Sequence, residues 1–258
     1  MWRRSGGRPK GGGPGLAARV ALAMVVAFSA AAPAHAINLR DLFGAAPSYD
    51  GRVAAAPPVA RYVSQDGDSF VLDRSGPEPL LRFDGDDEIW ALRSASAVRG
   101  DVVYRNDLGQ MMLRATRLGG VTVFTPRRPS GVAAALDGPA PPLEPRPVIS
   151  GPALLQLLAS ASLRAGHAAR HLVSFEAPDV DRRSAALIAD AANLCAKAIE
   201  QRARSGRSAV ARTRLVRLKA GDRVDARLSH GVLEVTVDPD RGLAGRPSSR
   251  RIARLFGK

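Results

Sequence analysis

The chain of 258 residues has one cysteine, Cys195, so it can hold no intrachain disulfide. Aromatic residues make up 5% of it, which leaves Ala, Val, Leu and Ile to build any core. Lysine is scarce: Lys10, Lys197, Lys219 and Lys258 are the only four among 38 basic residues. With a heavy alanine load, that bias reads as base composition rather than phosphate recognition. The sequence lacks a G-x-S-x-G elbow, an S-x-x-K motif, a phosphate-binding loop, and a G-x-G-x-x-G following a strand. No cofactor is therefore expected. No apolar run reaches the roughly 20 residues of a membrane span.

What is present begins with two basic ends. The formal net charge is +14. Residues 1–36 carry five basic groups and no acid, and residues 241–258 carry six and no acid. Residues 37–125 hold ten basic and twelve acidic groups, so the excess charge is not a property of the whole body. A nucleic-acid partner is not expected. At the N-terminus, arginines precede the apolar run 20–32, and Pro33 and Ala34-His35-Ala36 follow. That order predicts a signal peptide over 1–36, cleaved after Ala36, and a periplasmic protein without a transmembrane span after cleavage. An uncleaved N-terminal anchor is the alternative.

The mature chain reads as α+β. Residues 37–59 form a flexible lead-in rich in Ala, Gly and Pro. Residues 60–125 read as an antiparallel β-meander: short strands joined by turns such as Gln65-Asp66-Gly67-Asp68, Asp84-Gly85-Asp86-Asp87 and Asn106-Asp107-Leu108-Gly109. Tyr62, Phe70, Phe83, Trp90, Tyr104 and Phe124 fall on these strands as inward groups of a small barrel or a curved sheet. Residues 126–152 hold eight prolines and read as a linker. Leucines and alanines at three-and-four spacing predict a helix over 153–174, and a second runs from about Arg183 to Ala203, capped by Asp181 and stopped by Gly206. Together they form a helical hairpin over 153–205. Residues 209–237 return as a second small β-meander, which closes a segment 153–240. Cys195 lies on the apolar face of the second helix, as a buried hydrophobe.

Few constellations carry chemistry. His167 and His171 stand four apart, the spacing of two metal ligands on one helix face, but no H-E-x-x-H accompanies them. They remain weak metal candidates, and no metal site is expected. Asp84, Asp86, Asp87 and Glu88 are dense enough for a calcium loop but lack its spacing, and read as a hairpin turn. Arg99-Gly100-Asp101 is the turn before a strand. In the tail 241–258, Arg246, Arg250, Arg251 and Arg254 alternate with Ile252, Leu255 and Phe256. Ser248 or Ser249 could cap a short helix there, whose arginines would meet an anionic surface such as lipid head groups.

The stretch Arg99-Gly-Asp-Val-Val-Tyr-Arg-Asn-Asp-Leu-Gly109, then Leu113-Arg-Ala-Thr-Arg-Leu-Gly-Gly-Val-Thr-Val-Phe124, together with Phe70-Val-Leu-Asp73, Leu81-Arg-Phe-Asp-Gly85 and Ala244-Gly-Arg-Pro-Ser-Ser-Arg-Arg251, resembles an uncharacterised family of exported alphaproteobacterial proteins, a domain of unknown function. The resemblance spans most of residues 60–251 and implies no activity or site residue. The expectation is a non-catalytic binding or scaffold module at the cell envelope, contacting envelope proteins, an anionic polymer or lipid. The alternative is a hydrolase whose carboxylates, for example Asp101 and Asp107, converge only in the fold.

Overall fold

The structure is a computed structural model that describes residues 57–143 and 149–257. The expected signal peptide, its cleavage site and most of the lead-in lie outside the described residues.

Nine strands form the first sheet: β1 (Val59–Ser64), β2 (Ser69–Asp73), β3 (Leu80–Phe83), β4 (Ile89–Ala91), β5 (Arg93–Ser96), β6 (Val102–Arg105), β7 (Met111–Ala115), β8 (Val121–Thr125) and β9 (Arg128–Pro139). Every pairing is antiparallel, in the order β4-β3-β2-β1-β9-β8-β7-β6-β5. The two edge strands, β4 and β5, are separated in the chain by Leu92 alone. In a flat sheet of nine strands they would lie roughly 38 Å apart, at about 4.8 Å per step. One residue cannot span that distance. The sheet therefore curls back on itself into an up-and-down barrel, in which 89–96 serves as one kinked strand shared by both edges. Closure removes the open edges that would otherwise invite pairing with another chain.

A barrel of this strand number has an interior that side chains can fill. Tyr62, Phe70, Leu72, Leu81, Trp90, Leu92, Tyr104 and Leu113 are among the buried side chains that do so. Tyr62 and Phe70 face each other across β1 and β2 and stack with centroids 5.4 Å apart. The meander over 60–125 is thus present. The predicted linker is not one throughout: its part 128–139 is β9, the strand that pairs with both β8 and β1. Pro129 and Pro139 sit at its ends, where a missing N–H is tolerated. Gly131, at φ +85°, lies so close under Phe124 and Thr122 that a Cβ would approach both to 2.7 Å.

The second half packs two helices on a four-stranded sheet. The elements are α1 (Gly151–Ala169), β10 (Ser174–Glu176), α2 (Ala185–Ser205), β11 (Leu215–Ala220), β12 (Asp225–Ser229), β13 (Val232–Val237) and a short α3 (Ser249–Arg254). The sheet order is β10-β11-β13-β12, with β10, β11 and β13 mutually parallel. Two expectations are corrected here. The sheet is not a meander: α2 makes the long crossover that a parallel pair requires, and β13 inserts between β11 and β12. Nor are the helices a hairpin, because β10 intervenes. Arg164 near the end of α1 pairs with Glu200 near the end of α2, at 2.8 Å, so the two C-terminal halves lie side by side. Ala161, Ala165, Ala191, Ala192, Ala196 and Ala198 are fully buried. These small residues allow close approach and make up for the shortage of aromatics. Cys195 is fully enclosed, and burial pushes its thiol up, out of the nucleophilic range. Asp181 caps the turn ahead of α2, where bonds from Ser184 hold its carboxyl below the usual range. Among the described residues no helix is long and apolar enough to cross a membrane.

Leu92 is fully buried at the point where the barrel closes. Leu92→Ala is expected to cost about 2–5 kcal/mol in urea unfolding, whereas Leu136→Ala, half exposed on β9, should stay within about 0.5 kcal/mol.

Candidate functional site

The largest concentration of buried charge lies where the C-terminal segment crosses from the second half onto the barrel. It is built from the turns 84–88 and 106–110, from α2, and from residues 238–250. Residues 238–245 fold into a tight loop that Asp238 closes by donating its N–H to Gly245 O at 2.7 Å. A Cβ on Gly245 would fall 1.8 Å from Asp238 O, so only glycine fits. Arg246 follows, its side chain 2% exposed, with Nε donating to Asp190 of α2 and Nη2 to Ile89 O at 2.9 Å.

The next two serines act together. Ser248 donates its N–H (2.9 Å) and its hydroxyl (2.6 Å) to Asp107, and its Oγ accepts from Arg251 N–H as the N-cap of α3. Ser249 donates its N–H (2.9 Å) and its hydroxyl (2.5 Å) to Glu88. Lys197 of α2 reaches the same carboxylate at 3.0 Å and also bonds Asp86. The Glu88 side chain has no exposed surface. A buried carboxylate is tolerated when its lone pairs are met by donors, as here. Burial pulls the Lys197 pKa down, but Glu88 and Asp86 outweigh that and leave it above its ordinary value. The Arg250 guanidinium stacks 5.0 Å from the centre of the Trp90 ring and points Nη1 at Met112 Sδ, 3.7 Å away. Burial draws its pKa down, with Glu88 and Asp86 opposing.

The tail expected to meet an external anionic surface is thus folded against the body. Arg246 and Arg250 are engaged internally; Arg251 is half-buried and Arg254 is exposed. The histidine pair is separated. α1 ends at Ala169, and Arg170 takes a left-handed conformation at φ 61°. His171 lies beyond the helix, with Nδ1 3.0 Å from Ala169 O and Nε2 2.7 Å from Thr213 O. Both ring nitrogens face carbonyl acceptors, so no lone pair is turned toward a metal. His167 lines an open groove of about 680 Å³ with Leu163, Arg164, Arg170, Glu200 and Arg204. No group of three or more metal-ligating side chains occurs among the described residues. Asp101 and Asp107 stand at opposite ends of β6, on the order of 20 Å apart along the strand. Asp101 is held by Arg114 and by Arg117 N–H, which keep its carboxyl below its usual range, and Asp107 by Ser248.

Glu88, Asp107, Asp190 and Lys197 are the partners that sequence reasoning missed. The acidic turn gave a signal, since four carboxylates beside Ile89 and Trp90 need counter-charges from elsewhere in the fold. Glu88→Ala is expected to cost about 3–5 kcal/mol in stability, and Arg254→Ala no more than about 0.5 kcal/mol. Lys197 gives a pH signature. A lysine raised in the folded state adds stability that is complete below the unfolded value of about 10.4 and is lost as pH rises through the folded value. Stability of Lys197→Met should therefore decline less steeply than wild type above about pH 10; equal slopes would exclude the pair.

No curated protein and no solved structure matches the chain. A family model does, over residues 38–256, and its span takes in the barrel, the helical half and the crossing segment. The chain belongs to that family, described as a domain of unknown function, DUF4908.

Proposed function

We propose that the protein is exported by its N-terminal segment and acts in the periplasm as a non-catalytic binding or scaffold module at the cell envelope. The observation that carries this reading is the fate of the buried and half-buried charges. Glu88 and Asp107 of the barrel are met by Ser249, Lys197 and Ser248 of the second half, and Arg246 joins Asp190 to the Ile89 carbonyl, so these contacts hold two halves in one arrangement. A site for hydrolysis needs a carboxylate pair turned toward a cavity with donors to spare. Here the charge is spent on rigidity, which suits a module that presents fixed surfaces.

Export is supported by one further point. The family match begins at residue 38, next to the cleavage expected after Ala36. The single thiol of the described body is enclosed, which is compatible with an oxidising compartment as with a reducing one. The outer face of the second sheet carries a balanced ladder (Arg217 with Glu176, Lys219 with Glu234, Arg227 with Asp225), which suits water rather than nucleic acid. The contacts that remain for a partner are envelope proteins, anionic polymers or lipid.

Osmotic-shock fractionation followed by N-terminal sequencing tests the proposal. The protein should appear in the periplasmic fraction beginning at Ile37. Recovery in the cytoplasm with residues 1–36 intact would reject it.

A further inference from the structure

The end of the barrel that carries the β5–β6 and β7–β8 turns lies opposite the turns holding Glu88 and Asp107. Val98 and Leu118 are 83% and 84% exposed there, the most exposed large apolar side chains of the described residues. Val98 opens the 3-10 turn Val98–Gly100, and Leu118 sits in the turn between β7 and β8. The two turns are neighbours, because β6 lies beside β7, and they are locked together. Asp101, which closes the first turn, accepts from Arg117 N–H at 3.3 Å and from Arg114 Nε at 2.8 Å. Each apolar tip therefore stands beside an exposed arginine, Val98 beside Arg99 and Leu118 beside Arg117. Asp101 bonds Arg114 and also feels the charge of Arg99, although neither Arg99 nor Arg117 has a carboxylate within ion-pair distance among the described residues. Arg99 also holds a left-handed conformation at φ 67°, costly for a residue with a side chain.

Two apolar groups pushed into water at the tips of rigid turns, with exposed guanidinium groups at their bases, match the interface of an anionic bilayer. The apolar groups enter the acyl boundary and the arginines bond the phosphates above it. We infer that this end of the barrel docks on a membrane surface rich in anionic phospholipid, with Val98 and Leu118 inserted and Arg99 and Arg117 on the head groups. The inference deepens the envelope-binding reading and rests on it for its setting. It replaces the C-terminal arginines as the anionic-surface contact, since Arg246 and Arg250 are turned inward.

An environment-sensitive dye on Leu118→Cys of the full chain tests it, because Cys195 is enclosed and does not compete for the label. With vesicles containing phosphatidylglycerol, the emission should shift to the blue and rise at least threefold. Phosphatidylcholine vesicles should leave it unchanged. Adding Arg99→Gln and Arg117→Gln should weaken binding at least fivefold. A dye on Val98→Cys should follow the same pattern, and a dye on Asp222→Cys, exposed in the β11–β12 turn, should stay silent. No shift at 118 and 98, an equal shift on both vesicle types, a shift indifferent to the arginines, or an equal shift at 222 would each overturn the inference. Periplasmic recovery alongside any of those results would leave the module standing and remove only its lipid surface.

Discussion

The whole arrangement hangs on a carboxylate that water does not reach. Glu88 is placed at the mouth of the barrel by an Asp-rich turn, and a lone buried charge there would carry a penalty of several kcal/mol. Ser249 and Lys197 remove that penalty, and they come from α3 and α2 respectively. The barrel can bury its acidic end only when the second half is docked. The second half can place Arg246 only against Asp190 and the Ile89 carbonyl. Hydrogen bonds to charged groups are directional and strong, so the contact fixes one relative register rather than a sliding apolar interface. The motif Gly245-Arg246-Pro247-Ser248-Ser249-Arg250 thereby acquires a residue-by-residue meaning. Glycine clears a carbonyl, arginine bridges to α2, two serines cap and donate, and the second arginine stacks on Trp90.

Much of the barrel was legible in the sequence because its signals are local. Asp-Gly and Asn-Asp turns and inward aromatics mark most of β1 to β8 without reference to anything distant. β5 carried no such signal, and Phe124, expected inward, lies on the outer face of β8 because Val121 and Val123 take the inward positions. β9 was not legible. Its residues are Gly, Ala, Ser and Pro, and it exists because β1 and β8 offer backbone partners on both sides. Closure at Leu92 was hidden for the same reason, since no local pattern tells an edge strand from one that joins both edges. In the second half the helix periodicities were plain, but their direction was not. Three residues, Ser174–Glu176, pass as a loop in a linear reading, yet they turn a hairpin into a parallel crossover. The tail was read from its charge alone. Arginine beside serine fits a free basic end as well as a docked one, and only the distant Asp107, Glu88 and Asp190 decide between them.

The net charge takes on a different meaning once its partners are known. Of the six basic residues after 240, Arg241 bonds Glu78, Arg246 bonds Asp190, and Arg250 lies in the field of Glu88 and Asp86. The acids of the barrel and the bases of the C-terminus are two halves of one balance, written far apart in the chain. Exposed arginines remain elsewhere on the described surface as well as at the two turns bearing Arg99 and Arg117, among them Arg93, Arg127, Arg182, Arg223 and Arg254.

Synthesis runs from the N-terminus, so the barrel's strands leave the ribosome before the serines that complete them. Until residues 246–249 are made, Asp107 and Asp190 lack these donors and Glu88 has Lys197 without Ser249. A chain broken off short of Arg246 would keep its barrel sequence intact and still lack its closing contacts. Its acidic mouth would stay hydrated and its Trp90 uncovered. Because the clasp follows in the chain everything that it closes, a molecule cut ahead of Arg246 is told from one that carries it by its resistance to proteases.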